Sequence, residues 1–418
     1  MLECKIAPVL FNILFFIYSL VYFPYLILTG RWYKGYACRL GIFPSKLRNR
    51  LGECCTIWIH AVSVGEVMAV AGLIDQISAR WPDKKVVLTT TTKTGYELAA
   101  AKLGGRVVVV PSPLDFTWVV AGFVRLIKPK IYIVAETEIW PNLFNCLHKN
   151  SVPVMIINGR ISDVSFGRYK AIKGVLKNML GQVLLFCMQS DLDSGRIKEL
   201  GAPPERVKTL GNIKFDNLAM ENNSQLPELS QYPLWIVGSS HPGEEEIILQ
   251  TFLQHRASWR LVLAPRHVER TAEIESLIAS HGFKPLRFSQ LKGQDFNQDT
   301  VLVIDTIGHL RQLYKQASLV FVGKSLCGGG GQNIIEPAFC AKPIIVGPLM
   351  QNFRDITALF KSKDAVVQVK DVQEFQEQVS LLMKDENFRR QLGQRAFEVV
   401  KANQGASNRI LEVLETWL

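Results

Sequence analysis

IWIHAVSVGEVMAVAGLI, residues 57–74, passes directly from an apolar β-branched run to a helical pattern. The run ends near His60 and the helix begins near Gly65–Glu66, so this stretch reads as a strand feeding a helix. The same alternation continues along the chain. CTIWIHAV (55–62), KVVLTT (85–90), RVVVVPS (106–112), KIYIVAE (130–136), VPVMIING (152–159), VLLFCM (183–188) and VKTLGN (207–212) are strand-like runs separated by helical segments. Near-continuous apolar strands of this kind belong to a parallel sheet covered on both faces. A polar stretch at 216–233 reads as a linker. The pattern then restarts with LWIVGSS (234–240), RLVLAP (260–265), TVLVID (300–305), ASLVFVG (317–323), KPIIVG (342–347) and DAVVQV (364–369). The expected fold class is α/β, with two Rossmann-like doubly wound domains at 31–215 and 234–395. A membrane segment at 1–30 precedes them and a C-terminal helix at 396–418 follows. Ligands of such a pair are expected in a cleft at the C-terminal strand edges.

The chain has 418 residues, too many for one comfortable core. Its 48 Lys and Arg against 37 Asp and Glu leave a formal charge of +11, which favours phosphates, nucleic acid or anionic lipid as partners. The basic excess is concentrated near the apolar amino-terminal segment and forms no stripe interleaved with aromatics, so nucleic acid is not expected. Eight scattered cysteines, with no CxxC, read as reduced thiols rather than a disulfide framework or a zinc site. Residues 6–30 carry no charge and are long enough to span a bilayer. Arg31, Lys34, Arg39, Lys46, Arg48 and Arg50 follow without an intervening acid, which would keep the body cytoplasmic beside anionic headgroups. A helix lying in the interface is the other reading of this segment.

Polar residues gather at the strand ends. Glu66 opens the first helix, where a carboxylate either favours the helix dipole or serves as a general base. VAETEIWPN (134–142) puts Glu136 and Glu138 after a strand, and LGNIKFD (210–216) does the same for Lys214. A cation there can neutralise charge on a leaving phosphate. In the second half SSHPGEEE (239–246), APRHVER (264–270), DTIGHLRQLY (305–314) and LCGGGGQNIIEP (326–337) follow successive strands. The glycine loop favours an anion or nucleotide site through its backbone N–H groups. No GxGxxG follows the first strand and no Walker A motif occurs, which argues against NAD and P-loop chemistry. The acids do not cluster as metal ligands.

HAVSVGE, ETEIWPN, NGRISD, GNIKFD, GSSHPGEEE, APRH and GGGGQNIIEP, in this order over nearly the full length, resemble the Kdo transferases of lipopolysaccharide synthesis. These attach 3-deoxy-D-manno-octulosonic acid (Kdo) to lipid A precursors. The resemblance implies a GT-B fold with inner-membrane association, CMP-Kdo as donor and lipid IVA as acceptor. It also implies inversion at the sugar, with no metal and no cofactor. It puts the proton acceptor on Glu66 and charge-stabilising roles on Glu136 and Lys214. CMP contacts fall on Arg266 and His267, on Ile307, Gly308 and His309, and on Asn333, Ile334, Ile335 and Glu336. His309 stands where the family usually has a glutamate, and Gln332 where it commonly has histidine. A lipid-directed enzyme using a UDP-sugar and a membrane-tethered nucleotide-binding scaffold are the alternative readings.

Overall fold

A computed structural model describes residues 35–51, 56–216, 228–291 and 296–418, with separate helical positions between 11 and 28. The chain forms two compact units, 1–217 together with 404–418, and 218–403. Each unit is built on a seven-stranded parallel sheet.

In the first unit the strands are β1 (Thr56–His60), β2 (Lys85–Thr90), β3 (Val108–Pro111), β4 (Pro129–Ala135), β5 (Val154–Gly159), β6 (Leu185–Met188) and β7 (Val207–Thr209), in the order β3-β2-β1-β4-β5-β6-β7. Successive residues divide between two cores. Trp58, Tyr132 and Val134 face one helical layer, while Ile57, Ile59, Ile131 and Ile133 face the other. Both faces are therefore buried, which is why these strands read as unbroken apolar runs. Chain order reverses between β1 and β4, where His60 pairs with Val134. Such a switch point opens a crevice beyond the strand ends, and Glu66 and Glu136 both follow these two strands.

The second unit contains β8 (Leu234–Ser240), β9 (Arg260–Pro265), β10 (Lys284–Arg287), β11 (Thr300–Val303), β12 (Ala317–Val322), β13 (Ile344–Val346) and β14 (Val367–Gln368), in the order β10-β11-β9-β8-β12-β13-β14. Its switch point lies between β8 and β12, the strands that lead into SSHPGEEE and the glycine loop. Trp235, Val237, Leu261, Leu263 and Phe321 anchor the core on one face.

The sequence-based boundaries shift at the C-terminus. Position 395/396 falls inside helix Glu386–Asn403, and only the next helix, Ala406–Glu415, joins the first unit. Ala406, Ile410, Leu411 and Leu414 pack in the same core as Ile57 and Ile133. Asp216 caps this helix, accepting from the Gly405 N–H at 2.6 Å and the Ser407 N–H at 2.5 Å. The expected linker thus begins with a residue that belongs structurally to the first unit.

Among the described residues no helix is long and apolar enough to cross a membrane, so the expected single-pass anchor has no structural support. Much of 6–30 lies outside the described residues. At the positions that are described, Asn12 donates to Thr117 Oγ1 at 3.0 Å and Phe15 packs edge-on against Phe116. Ile13, Phe16, Ile17 and Leu20, spaced for one helical face, are 51–60% exposed.

Candidate active site

Glu66 is held from two sides. The Val62 N–H donates to its Oε2 at 2.7 Å and the Ser63 hydroxyl to its Oε1 at 3.0 Å. Ser-x-x-Glu at a helix start is a capping-box pattern, here with the glutamate reaching back to the residue before the cap. The side chain is 9% exposed. Burial, reinforced by the charges of Glu136 and Glu138, raises its pKa to about 7 against the pull of its two hydrogen bonds. Each carboxylate oxygen accepts one internal bond and keeps a lone pair for a further donor.

The support beneath Glu66 comes from TTTKTG (90–95), which the motif reading did not single out. The Thr91 and Thr92 N–H groups donate to the Val62 carbonyl at 3.2 and 3.1 Å, and the Thr92 hydroxyl does so at 3.2 Å. A Cβ on Gly95 would lie 2.8 Å from Thr92 Oγ1 and 3.3 Å from the Ser63 carbonyl carbon, so glycine permits this close approach.

Glu136 adopts φ +58, a left-handed conformation that costs a non-glycine residue about 1–3 kcal/mol. Its N–H donates to the Ile157 carbonyl at 2.9 Å, so the strand ladder continues up to the strained residue. Lys214 Nζ lies 3.3 Å from Glu136 Oε1, with both side chains about one quarter exposed. The lysine is held through its backbone: its N–H donates to Asn212 Oδ1 at 2.9 Å, and the Ile213 N–H donates to Asn158 Oδ1 at 3.1 Å. Asn158, from NGRISD, is 1% exposed. Two motifs distant in sequence thus serve one ion pair.

Glu138 is half-buried and has no ion pair among the described residues. Burial and the Glu136 charge raise its pKa to about 6. The orphaned polar atoms His60 Nε2, Tyr132 OH and Trp140 Nε1 belong to residues lining one small cavity of about 10 Å³. Donors and an acceptor on residues around so small a space suit a single buried water.

In the second unit Glu244 and Glu245 are both fully buried. Glu244 Oε2 accepts from the His241 and Lys324 N–H groups at 2.9 and 2.8 Å. Its Oε1 accepts from the N–H groups of Ser325, Leu326 and Cys327 at 2.9, 3.0 and 3.4 Å. The entrance to the glycine loop therefore wraps an internal carboxylate, and those N–H groups are committed to the protein itself. Glu245 accepts from Ser240 Oγ at 2.8 Å and from Arg270 NH1 at 2.9 Å, tying APRHVER to SSHPGEEE. Gly328, Gly329, Gly330 and Gly331 all have positive φ. A Cβ on Gly331 would meet the Met350 sulfur at 2.3 Å, and one on Gly330 the Asn352 amide at 2.6 Å.

The expected nucleotide contacts differ in exposure. Arg266 and His267 are exposed, and Ile307 is 86% exposed beside Gly308 at φ +101. The His309 ring lies 5.1 Å from that of Phe288. Asn333 Oδ1 accepts from the Ile335 N–H at 3.0 Å, and Glu336 accepts from Arg311 at 3.1 Å. Ile334 and Ile335 are fully buried, backbone included. Among the described residues no group of three or more His, Cys, Asp or Glu is placed to hold a metal ion.

Residues 34–217 match the family described as 3-Deoxy-D-manno-octulosonic-acid transferase (kdotransferase), and residues 260–399 match Glycosyl transferases group 1. A 3-deoxy-D-manno-octulosonic acid transferase of Haemophilus influenzae is 35% identical over 375 residues, covering 87% of each chain. A bifunctional glycosyltransferase/methyltransferase of Fusobacterium nucleatum is 33% identical over 342 residues, covering 79% of this chain. This chain spans 53% of that longer relative. The crystal structure of UDP-GlcNAc 2-epimerase from Neisseria meningitidis bound to UDP-GlcNAc superposes with a TM-score of 0.61 at 12% identity, covering 87% of this chain and all of that one. At that identity the likeness concerns the fold alone, a GT-B-like pair of Rossmann-like units.

Proposed function

Because the chain belongs to the 3-deoxy-D-manno-octulosonic acid transferase family, we propose that it transfers Kdo from CMP-Kdo to the lipid A precursor lipid IVA in lipopolysaccharide synthesis. The observation that carries the chemical assignment is Glu66: a buried carboxylate, fixed by two hydrogen bonds, whose pKa of about 7 suits proton abstraction at neutral pH. In this reading an acceptor hydroxyl attacks the anomeric carbon of Kdo. Its proton passes to Glu66, the bond from the anomeric carbon to the phosphate oxygen breaks, and CMP leaves with the electron pair. A single displacement inverts the configuration.

Glu136 holds the Lys214 ammonium in place, and Lys214 offsets charge that develops on the departing phosphate. Arg266, Asn333 and Glu336 bind the nucleotide. Gly308 and His309 meet the base, with Phe288 backing the histidine ring. Ribose hydroxyls donate to Glu336.

The enzyme acts at the cytoplasmic side of the inner membrane. Contact with the bilayer is made by the exposed Ile13, Phe16, Ile17 and Leu20, with Lys46, Arg48 and Arg50 near anionic headgroups. Incubation with fresh CMP-Kdo and lipid IVA tests the reading. CMP release matched by a gain of Kdo residues on the lipid is expected. Transfer from a UDP-sugar, with none from CMP-Kdo, would refute it.

A further inference from the structure

Two helices of the first unit begin just beyond strand ends without side-chain caps of their own. The N-caps of helix Thr117–Ile127 and helix Pro141–Lys149 are Phe116 and Trp140, and neither side chain bonds to the turn that follows it. Residues from elsewhere satisfy the leading N–H groups instead. Asp115, 5% exposed, accepts from the Asn142 N–H at 3.0 Å and the Leu143 N–H at 2.8 Å. Asn12 serves the other helix: the Thr117 N–H donates to its Oδ1 at 3.1 Å, and its Nδ2 donates to Thr117 Oγ1 at 3.0 Å. The same Oδ1 accepts from Asn142 Nδ2 at 3.2 Å. Asn142 Nδ2 also donates to the Asp115 carbonyl, at 2.5 Å. One amide thus ties the starts of two helices together from 105 and 130 positions away in sequence. Asn142 is 2% exposed, so the junction is shielded from water, where hydrogen bonds hold more firmly.

What this junction holds is the short segment 136–140 between β4 and helix Pro141–Lys149. Its first residue, Glu136, is fixed by the N–H bond to the Ile157 carbonyl, and its far end by Asn142. Between those two points lies Glu138, and Glu136 itself reaches Lys214 Nζ at 3.3 Å. Resting on the reading of Glu66, Glu136 and Lys214 as the transfer site, we propose that Asn12 is a positioning residue for the reaction. Seated on Thr117 and Asn142, it holds the segment that carries Glu136 and Glu138 in register with Glu66 and Lys214. Phe15 supports the seat, its ring packed edge-on against Phe116 with centroids 4.9 Å apart. Ile13, Phe16 and Ile17, interleaved with these two inward residues, are exposed. The stretch that meets the bilayer in the reading above is therefore also the stretch that seats the catalytic segment.

Asn12→Ala in the full chain tests the proposal, beside Ser19→Ala, whose hydroxyl donates to the Phe15 carbonyl within the same stretch. Lipid IVA is supplied in nonionic detergent, without a bilayer, so that altered membrane contact does not enter the rate. The expected result for Asn12→Ala is a kcat lower by about tenfold or more, since a misplacement of about 1 Å at a reacting group can cost about 10²-fold. KM for CMP-Kdo should stay unchanged, because the second unit binds the nucleotide in this reading. Burial is the main cause of the raised pKa of Glu66, and the charges of Glu136 and Glu138 add to it. Loosening their segment should therefore move the acidic limb of the kcat/KM profile to lower pH, which a smaller folded fraction would not do. Unchanged kcat overturns the proposal. A lower kcat with an unmoved acidic limb also overturns it, by assigning Asn12 to stability alone, as does an equal loss in Ser19→Ala. Should Asn12→Ala fail to fold, Thr117→Val, which removes only the hydroxyl that accepts from Asn12, carries the same test. Failure of the unmodified enzyme to use CMP-Kdo would instead refute the functional reading on which this one stands.

Discussion

Replacing Glu244 by glutamine changes one oxygen into an NH2 group at a fully buried position that now accepts five backbone N–H bonds. Whichever way the amide turns, at least two N–H groups then face a donor. Hydrogen bonds to a charged acceptor contribute about 1.5–3 kcal/mol each, so two lost bonds amount to about 3–6 kcal/mol. The loop has little room to adjust. Gly323 approaches Glu244 so closely that a Cβ there would sit 2.8 Å from Oε2, and Gly347 lies against the Ser325 backbone. For a unit of this size about 1 kcal/mol shifts the melting temperature by about 2–4 °C, so Glu244→Gln should melt at least about 6 °C lower. Any part of the cost relieved by movement of residues 324–327 should instead weaken CMP binding. Calorimetric melting and CMP titration of this variant, beside Glu246→Gln on the same helix as a control, measure both. Unchanged melting together with unchanged CMP affinity would refute the assignment of Glu244 as the post around which the loop is built.

Three further outcomes follow from other contacts. The pKa of Glu66 is raised from 4.5 to about 7, so kcat/KM should fall with decreasing pH below about 7 as the base becomes protonated. Stability runs the other way: the protonated form favours folding below the unfolded pKa, and up to about 3 kcal/mol is lost as pH rises through the folded pKa. Glu66→Gln should therefore gain stability relative to the parent at about pH 8 and not at about pH 4, measured by denaturant unfolding. Asp216→Ala removes the cap of helix Ala406–Glu415 and should cost about 0.5–2 kcal/mol, with faster hydrogen exchange in that helix. Changing Ile13, Phe16, Ile17 and Leu20 together to serine should lower partitioning onto anionic vesicles by about 30-fold or more; unaltered partitioning would remove that face as the membrane contact.

The strand pattern was legible because both sheets are buried on two faces and leave unbroken apolar runs. β10 was the exception: KPLR is four residues long, contains Pro285 and is exposed over its first two positions at the sheet edge. Nothing in such a segment carries the strand signal. The C-terminal boundary was missed because helix Glu386–Asn403 and helix Ala406–Glu415 are both amphipathic, and sequence does not show which core each one joins. At the site, the position of Glu66 after β1 could be read from local pattern. The fate of the glycine-loop N–H groups could not, because their acceptor, Glu244, lies about 80 residues upstream. The loop's glycines hinted at a bound anion, and the first anion it holds is the protein's own. The Glu136–Lys214 pair is separated by 78 residues and depends on Asn158 and Asn212, whose roles emerge only when β5 and the segment after β7 are brought together.

Transfer by Glu66→Gln is the most direct measurement of the central claim. The amide is nearly isosteric and lacks the basic oxygen. With fresh CMP-Kdo and lipid IVA, the rate should fall by about 10²–10⁴-fold while CMP affinity is retained, the usual range for loss of a general base. A folded variant that binds CMP and transfers Kdo within about tenfold of the parent rate would contradict Glu66 as the base, since that loss falls short of general-base assistance.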